Sequence, residues 1–254
     1  MRRWRGIIVP LAILVIAEFT FRATVTMSDS LAPPSRAVGA LIGALGDGSL
    51  LAGTVRTLAG MLGGLALGGL GGLVVGIALG FSETLRRASF LTIELLRPIP
   101  SVALLPLSLL IFGFGYGMEI AVVAFATFWP ALILTQNAVA QIEPRLIEVA
   151  RLMGLSRLET AWKIVLPAAA PRLMTALRLS AGLALVVAVT AEIVSNPQGL
   201  GHDLMIAQET LRPERMFGVL FWVGLIGWGK NAALLRLERW LFSHRGEVDT
   251  SVAA

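Results

Sequence analysis

Apolar residues in this chain gather into long runs almost free of charge, separated by short polar connectors. Residues 58–81 contain no ionisable side chain. A run of that length exceeds the ~20 residues needed to cross a ~30 Å hydrocarbon core, so it is predicted to span a bilayer rather than fill a soluble core. The same pattern predicts about six helical spans, at residues 7–21, 58–81, 101–114, 120–136, 174–194 and 217–235. The third is the shortest, and Pro98, Pro100 and Pro106 bracket or enter it, while Trp129-Pro130 predicts a kink in the fourth. Residues 22–56, with LAPPSRAV and the turn-like GDGS, are expected to form a loop carrying a short surface helix.

The connector at 143–172, EPRLIEVARLMGLSRLETAWKIVLPAAAPR, is different in kind. Leu146, Val149, Ala150 and Met153 recur at i, i+3, i+4 and i+7 and make one apolar stripe, with Arg145, Glu148 and Arg151 elsewhere on the helix. Gly154 is placed to close that helix in the left-handed conformation, and Ser156 with Glu159 forms an S-x-x-E capping box for a second one. Leu158, Trp162 and Val165 stripe the second helix. Pro167 is expected to stop it, and Pro171 suits the first turn of the next. An amphipathic helix pair lodged between membrane spans needs a soluble surface to pack on, so the insert implies a partner.

Composition agrees with a membrane chain. Its 254 residues are 56% hydrophobic and 15% charged, against about 25% charged in a soluble domain, and the mean hydropathy is +0.80. One membrane domain, 1–254, is expected, with little chain left for a separate soluble one. The net charge of +5 marks topology rather than nucleic acid, because positive connectors stay cytoplasmic. Arg2, Arg3 and Arg5; Arg86, Arg87 and Arg97; Arg145, Arg151, Arg157, Lys163, Arg172 and Arg178; and Arg236, Arg239 and Arg245 fall on one side, fifteen of the 21 lysines and arginines. Arg22, Arg36, Arg56, Arg212 and Arg215 fall on the other. Both termini and the insert are therefore expected in the cytoplasm. The basic, apolar N-terminus also resembles a secretory signal, but Glu18 and Arg22 favour a retained first span; cleavage would make the span count odd.

Candidate chemistry is sparse. There is no cysteine, and His202 and His244 stand far apart in sequence, so neither a zinc site nor any other cofactor is expected. The run Gly224 to Asn231 nearly matches a phosphate loop, but Asn231 replaces the hydroxyl, no strand precedes it, and it lies in an apolar span; Lys230 is expected to snorkel to the interface. Glu18 and Glu119 sit near span ends, where solvated positions are expected. Glu192, with Thr190, Ser195 and Asn196 nearby, either shapes an outward mouth of a translocation path or bonds a neighbouring helix. Gly60, Gly64, Gly68, Gly72, Gly76 and Gly80 recur every four residues and are expected to admit close helix packing. Four residues advance ~400°, so the line winds and could serve more than one neighbour. No nucleophile–base pair points to an enzyme. An ion-coupled secondary transporter and a scaffold anchoring a soluble enzyme remain as rivals.

Glu148-Val-Ala-Arg-Leu-Met-Gly154, followed by Ile164-Val-Leu-Pro167, resembles the EAA loop of binding-protein-dependent ABC importer permeases, with Val149 for the first alanine. Leu31-Ala-Pro-Pro-Ser35, Leu96-Arg-Pro-Ile-Pro100, Pro106 with Phe112-Gly-Phe-Gly115, Ala191-Glu192 and Gly199-Leu-Gly201 are similar to segments of the nitrate/sulfonate/taurine branch. Asn231 departs from an aspartate common there, and what it and Lys230 contribute is left open. The resemblance implies an all-α, polytopic permease with a cytoplasmic coupling loop, itself without catalytic activity. It would work with a cytoplasmic ATPase dimer, an extracytoplasmic substrate-binding protein and a second permease copy in the inner membrane, carrying a small anion such as a sulfonate, taurine or nitrate. It assigns coupling to Glu148, Ala150, Arg151, Met153, Gly154, Ile164, Leu166 and Pro167, with the stripe in an ATPase groove and Glu148 and Arg151 pairing at its rim. Thr190 and Glu192 are the candidate translocation-path residues.

Overall fold

The computed structural model describes residues 5–24 and 31–242, which are helical with no strand among them. Arg2, Arg3, His244 and Arg245 lie outside the described residues. The helices are α1 (Arg5–Thr24), α2 (Pro34–Gly46), α3 (Ser49–Phe81), α4 (Glu83–Leu96), α5 (Ser101–Phe112), α6 (Tyr116–Ala140), α7 (Pro144–Leu152), α8 (Ala161–Val194), α9 (Leu200–Glu209) and α10 (Pro213–Phe242). Among the described residues α3, α6, α8 and α10 are long and apolar enough to cross a membrane, and a fifth span results if α4 and α5, bent by 78°, count as one. The expected first span, 7–21, falls within α1.

Contacts divide the chain into two compact units, Met1–Leu58 with Val189–Ile226, and Ala59–Ala188 with Gly227–Ala254. In the second unit α3 lies along α6, and the glycine line faces that one helix throughout. A Cβ at Gly64 would collide with Val123, at Gly68 with the Ala124 carbonyl, at Gly72 with the Phe128 carbonyl, and at Gly80 with Val139. The expected winding toward several neighbours does not occur. A wide turn at Leu65–Gly69 advances the chain through less angle per residue and turns the line back toward α6. Thr127 follows from α6, its hydroxyl donating to the Val123 carbonyl at 2.9 Å and lying 3.4 Å from the Gly64 carbonyl.

In the first unit, Gly218 of α10 lets that helix approach the Ala37 carbonyl of α2. The Trp222 indole donates to the Thr54 hydroxyl at 2.8 Å. Glu18 of α1 accepts from the Ser35 amide at 2.9 Å and from its hydroxyl at 2.7 Å, fastening the start of α2.

Several expectations need correcting. Residues 22–56 are not mainly loop: α2 occupies thirteen of them and α3 begins at Ser49. Pro34 takes the first turn of α2, and Gly48, at φ 76°, makes only a short turn between α2 and α3. The element expected at 101–114 ends at Phe112, where Gly113 takes φ 71°, and its α-helical part is only eight residues. Glu119 is not solvated but 1% exposed, because Gly60 leaves open the space its carboxylate fills. Lys230 does not snorkel: Nζ donates to the Ala181 carbonyl of α8 at 2.6 Å.

Candidate functional site

The connector at 143–172 lies in the second unit and folds as two helical pieces set off by a sharp turn. Pro144 opens α7 at its first turn, where its missing N–H costs nothing. Gly154 closes α7 at φ 70°. Its amide donates to the Arg151 carbonyl at 3.0 Å and the Leu155 amide to the Ala150 carbonyl at 3.0 Å. That bond pair is the Schellman closure, and it satisfies carbonyls that the helix end would leave orphaned. The capping box then starts the second piece. The Ser156 amide donates to a Glu159 carboxylate oxygen at 3.0 Å, and the Glu159 amide donates to the Ser156 hydroxyl at 3.2 Å. Lys163 donates to the other Glu159 oxygen at 2.9 Å. The Lys163 ammonium, with both Ser156 donors, lowers the Glu159 carboxyl to about 2.

The second piece does not stop at Pro167. The turn Arg157–Thr160 runs straight on through a wide turn, Ala161–Val165, into Leu166–Val194. Proline lacks an N–H and its ring crowds the carbonyl four residues back, and the wide turn just ahead of Pro167 accommodates both. Pro171 likewise lies inside the helix rather than at the start of a new one. Ile164, Leu166 and Pro167, all half-buried, mark this junction.

The expected stripe of α7 divides between two faces. Ala150 is fully buried, as is Val165 of the wide turn that α7 rests against. Leu146, Val149 and Met153 point outward, and so do two residues whose prominence the stripe did not convey: Leu152, 88% exposed, and Trp162, 65% exposed. Leu152 falls between positions of the i, i+3, i+4, i+7 series, which is why periodicity passed over it. Glu148 and Arg151 are exposed beside this patch, and among the described residues no ion pair joins them. The result is a shallow apolar surface rimmed by charge, held by a closed helix end on one side and a capping box on the other.

The other candidates lie in the first unit. Glu192 is buried, and its Oε2 accepts from the Gly201 amide at 2.8 Å. The Thr57 hydroxyl accepts from the Leu200 amide at 3.0 Å. Both acceptors meet the N-terminus of α9, where free amides and the helix dipole favour an anionic partner. Gly199, at φ 93°, and Gly201 permit the approach, since a Cβ at either would collide with the Glu192 side chain. Thr57 was not singled out from sequence, because nothing local marks a threonine as the cap of a helix more than a hundred residues away. Thr190 is half-buried two residues earlier on α8, about 200° around the helix from Glu192.

Comparison with known proteins bears on what this arrangement does. Residues 68–243 match the model of the family described as binding-protein-dependent transport system inner membrane component. The chain is 34% identical over 197 residues to a putative ABC transporter permease protein of Methanocaldococcus jannaschii, covering 77% of this chain and 74% of that one. It is 31% identical over 186 residues to a putative aliphatic sulfonates transport permease protein of Bacillus subtilis, covering 73% and 67% respectively. Its fold is similar to a solved inward-facing structure of the MetNI methionine ABC transporter, with a TM-score of 0.63 at 22% identity over 73% of this chain and 90% of that one.

Proposed function

As a member of the binding-protein-dependent transport system inner membrane component family, this chain is a permease, and we propose that it serves as one of two identical membrane subunits of an ABC importer. A separate cytoplasmic ATPase pair hydrolyses ATP and an extracytoplasmic binding protein delivers a small anion, of the kind the aliphatic sulfonate relative is named for. The whole chain acts as one permease domain, with both termini and the 143–172 loop in the cytoplasm. Thr190 and Glu192 sit beside the route the cargo takes.

The observation that carries this reading is the outward apolar patch of Leu146, Val149, Leu152, Met153 and Trp162. About 25 cal/mol is gained per Å² of such surface removed from water, so a groove on the ATPase is its natural cover, in the helix-in-groove manner. Glu148 and Arg151 meet charges at the rim of that groove. The helix running unbroken from Arg157 to Val194 adds the mechanical link. A push on the docked patch passes into a membrane span without crossing a flexible loop, so closure of the ATPase pair swings the spans between inward-facing and outward-facing states. Gly154 sets the angle just ahead of that lever, and Ile164, Leu166 and Pro167 mark the irregular turn within it.

Uptake measured in cells tests the assignment directly. Glu148→Lys and Gly154→Val are expected to abolish uptake while the permease still inserts. The chain has no cysteine, so Met153→Cys gives a single cross-linking site, which is expected to capture the ATPase. Normal uptake by both variants, with no cross-link, removes the coupling role.

A further inference from the structure

The corner between α9 and α10, in the first unit, closes a helix as the coupling loop does but with a different residue. The Leu211 amide donates to the Gln208 carbonyl at 3.2 Å and the Arg212 amide to the Ala207 carbonyl at 2.9 Å. Gly154 and Leu155 make the same pair of bonds at the end of α7. Such a closure needs a left-handed residue at its centre, and Leu211 adopts φ 51°. Glycine meets that demand without strain, whereas a Cβ there crowds the following carbonyl. Among the described residues Leu211 is the only one besides glycine at positive φ.

Packing inside the chain does not offset that strain, because the Leu211 side chain is 62% exposed. A lone exposed leucine needs no explanation, but one held where glycine would sit freely does, and strain of this kind gathers at contact sites. Its surroundings are polar. Glu209, Thr210 and Arg212 are exposed on either side of it. The Arg215 guanidinium, in the first turn of α10, attracts the carboxylates of both Asp203 and Asp47, so this corner stands beside the exposed turn between α2 and α3. An apolar tip ringed by charges of both signs suits the anchor of a protein interface, dry at its centre and polar at its rim. An acyl-chain surface would strand the Asp47 and Glu209 carboxylates beside it. The chain reaches this corner from the 143–172 loop through α8, which is long enough to cross a membrane. A cytoplasmic coupling loop therefore puts Leu211 on the extracytoplasmic side.

We propose that Leu211 is the anchor by which the permease holds its extracytoplasmic binding protein. The leucine enters an apolar pocket on that protein, and Asp47, Glu209 and Arg212 meet polar groups around the pocket. The proposal rests on the importer function above and gives its soluble partner a docking point on this chain.

The full-length permease, with its ATPase and in phosphatidylcholine nanodiscs, is titrated with the binding protein encoded beside it, purified and fluorescently labelled. Leu211→Gly and Leu211→Asn both suit positive φ. Each is expected to weaken binding by about tenfold or more, the loss of one buried leucine, while the melting temperature stays level or rises. Leu211→Met keeps an apolar tip and should bind much more nearly like the wild type. Wild-type affinity in the glycine and asparagine variants, or a loss of binding that comes with a fall in melting temperature, overturns the anchor. A wild-type permease that binds neither the ATPase nor the binding protein sinks the importer assignment itself; one that holds the ATPase but not the binding protein overturns the docking point. The chain has no cysteine, so Leu211→Cys gives a single site for a bimane fluorophore. Its emission is expected to be quenched by aqueous iodide and shielded when the binding protein is added. Quenching by brominated lipid instead puts Leu211 in the bilayer, and the docking surface is overturned.

Discussion

Ser156 and Glu159 each accept a hydrogen bond from the other's backbone amide, at 3.2 and 3.0 Å, and so fix where the helix that runs on to Val194 begins. Lys163 adds a third bond to the same carboxylate. The Glu159 carboxyl falls from an ordinary 4.5 to about 2. A lowered carboxyl stabilises the fold above its unfolded value, and that stabilisation is lost as pH falls from about 4.5 toward 2. An NMR titration of the labelled Glu159 carboxyl is expected to place its midpoint well below 4.5, with Lys163→Met and Ser156→Ala each raising it. An unshifted midpoint in the wild-type protein would mean the box does not form in solution.

Gly68 is where α3 and α6 come closest to touching through their backbones, a Cβ there colliding with the Ala124 carbonyl and the Thr127 hydroxyl. Backbone carbonyls do not yield as a side-chain tip does. Gly68→Leu is therefore expected to destabilise the second unit by about 1–3 kcal/mol or more, lowering the melting temperature of the reconstituted protein. Leu67→Ala, at a position 65% exposed one residue away, should leave it nearly unchanged. Equal effects at the two positions would show that the glycine line does not carry the contact.

Glu192 meets the amide of Gly201 at 2.8 Å, and Thr57 meets that of Leu200 at 3.0 Å. Removing one acceptor leaves a buried donor unsatisfied, at a cost of about 1–3 kcal/mol. Glu192→Leu is expected to speed hydrogen exchange at the Gly201 amide strongly. Glu192→Gln, which keeps an oxygen in place, should do so less. Exchange at the start of α9 that ignores both changes would separate Glu192 from capping and leave it only the proposed place beside the translocation route.

Local chemistry explains why some of this was legible in the sequence. The closure at Gly154 and the box at Ser156 and Glu159 are complete within a few residues, so spacing alone predicts them. The helical class and most span positions follow from uninterrupted apolar length. What sequence missed is set between distant segments. The burial of Glu119 depends on Gly60 opposite it, and the aim of the glycine line at α6 alone depends on the wide turn at Leu65–Gly69, neither of which local spacing encodes. Pro167 is the reverse case: a local rule that predicts a stop was outweighed by the irregular turn at Ala161–Val165, which carries the helix past it. The division of the α7 stripe into a buried Ala150 and an exposed Leu152 also needed the packing of a second segment.

Lys230 donates to the Ala181 carbonyl at 2.6 Å, in the body of a membrane span. A charge there is costly, and its acceptor is a helix carbonyl that retains its own partner along α8 when the lysine is gone. Deleting the ammonium thus removes a penalty without orphaning a group, unlike the breaking of a buried ion pair. Lys230→Met is expected to leave stability unchanged or raise it by about 1 kcal/mol, a rise of about 2–4 °C in melting temperature for a chain of this size. A clear fall in melting temperature would show that the α8–α10 contact depends on the charge itself. If stability holds while uptake drops, the ammonium acts on the cargo or on the transport cycle rather than on the fold.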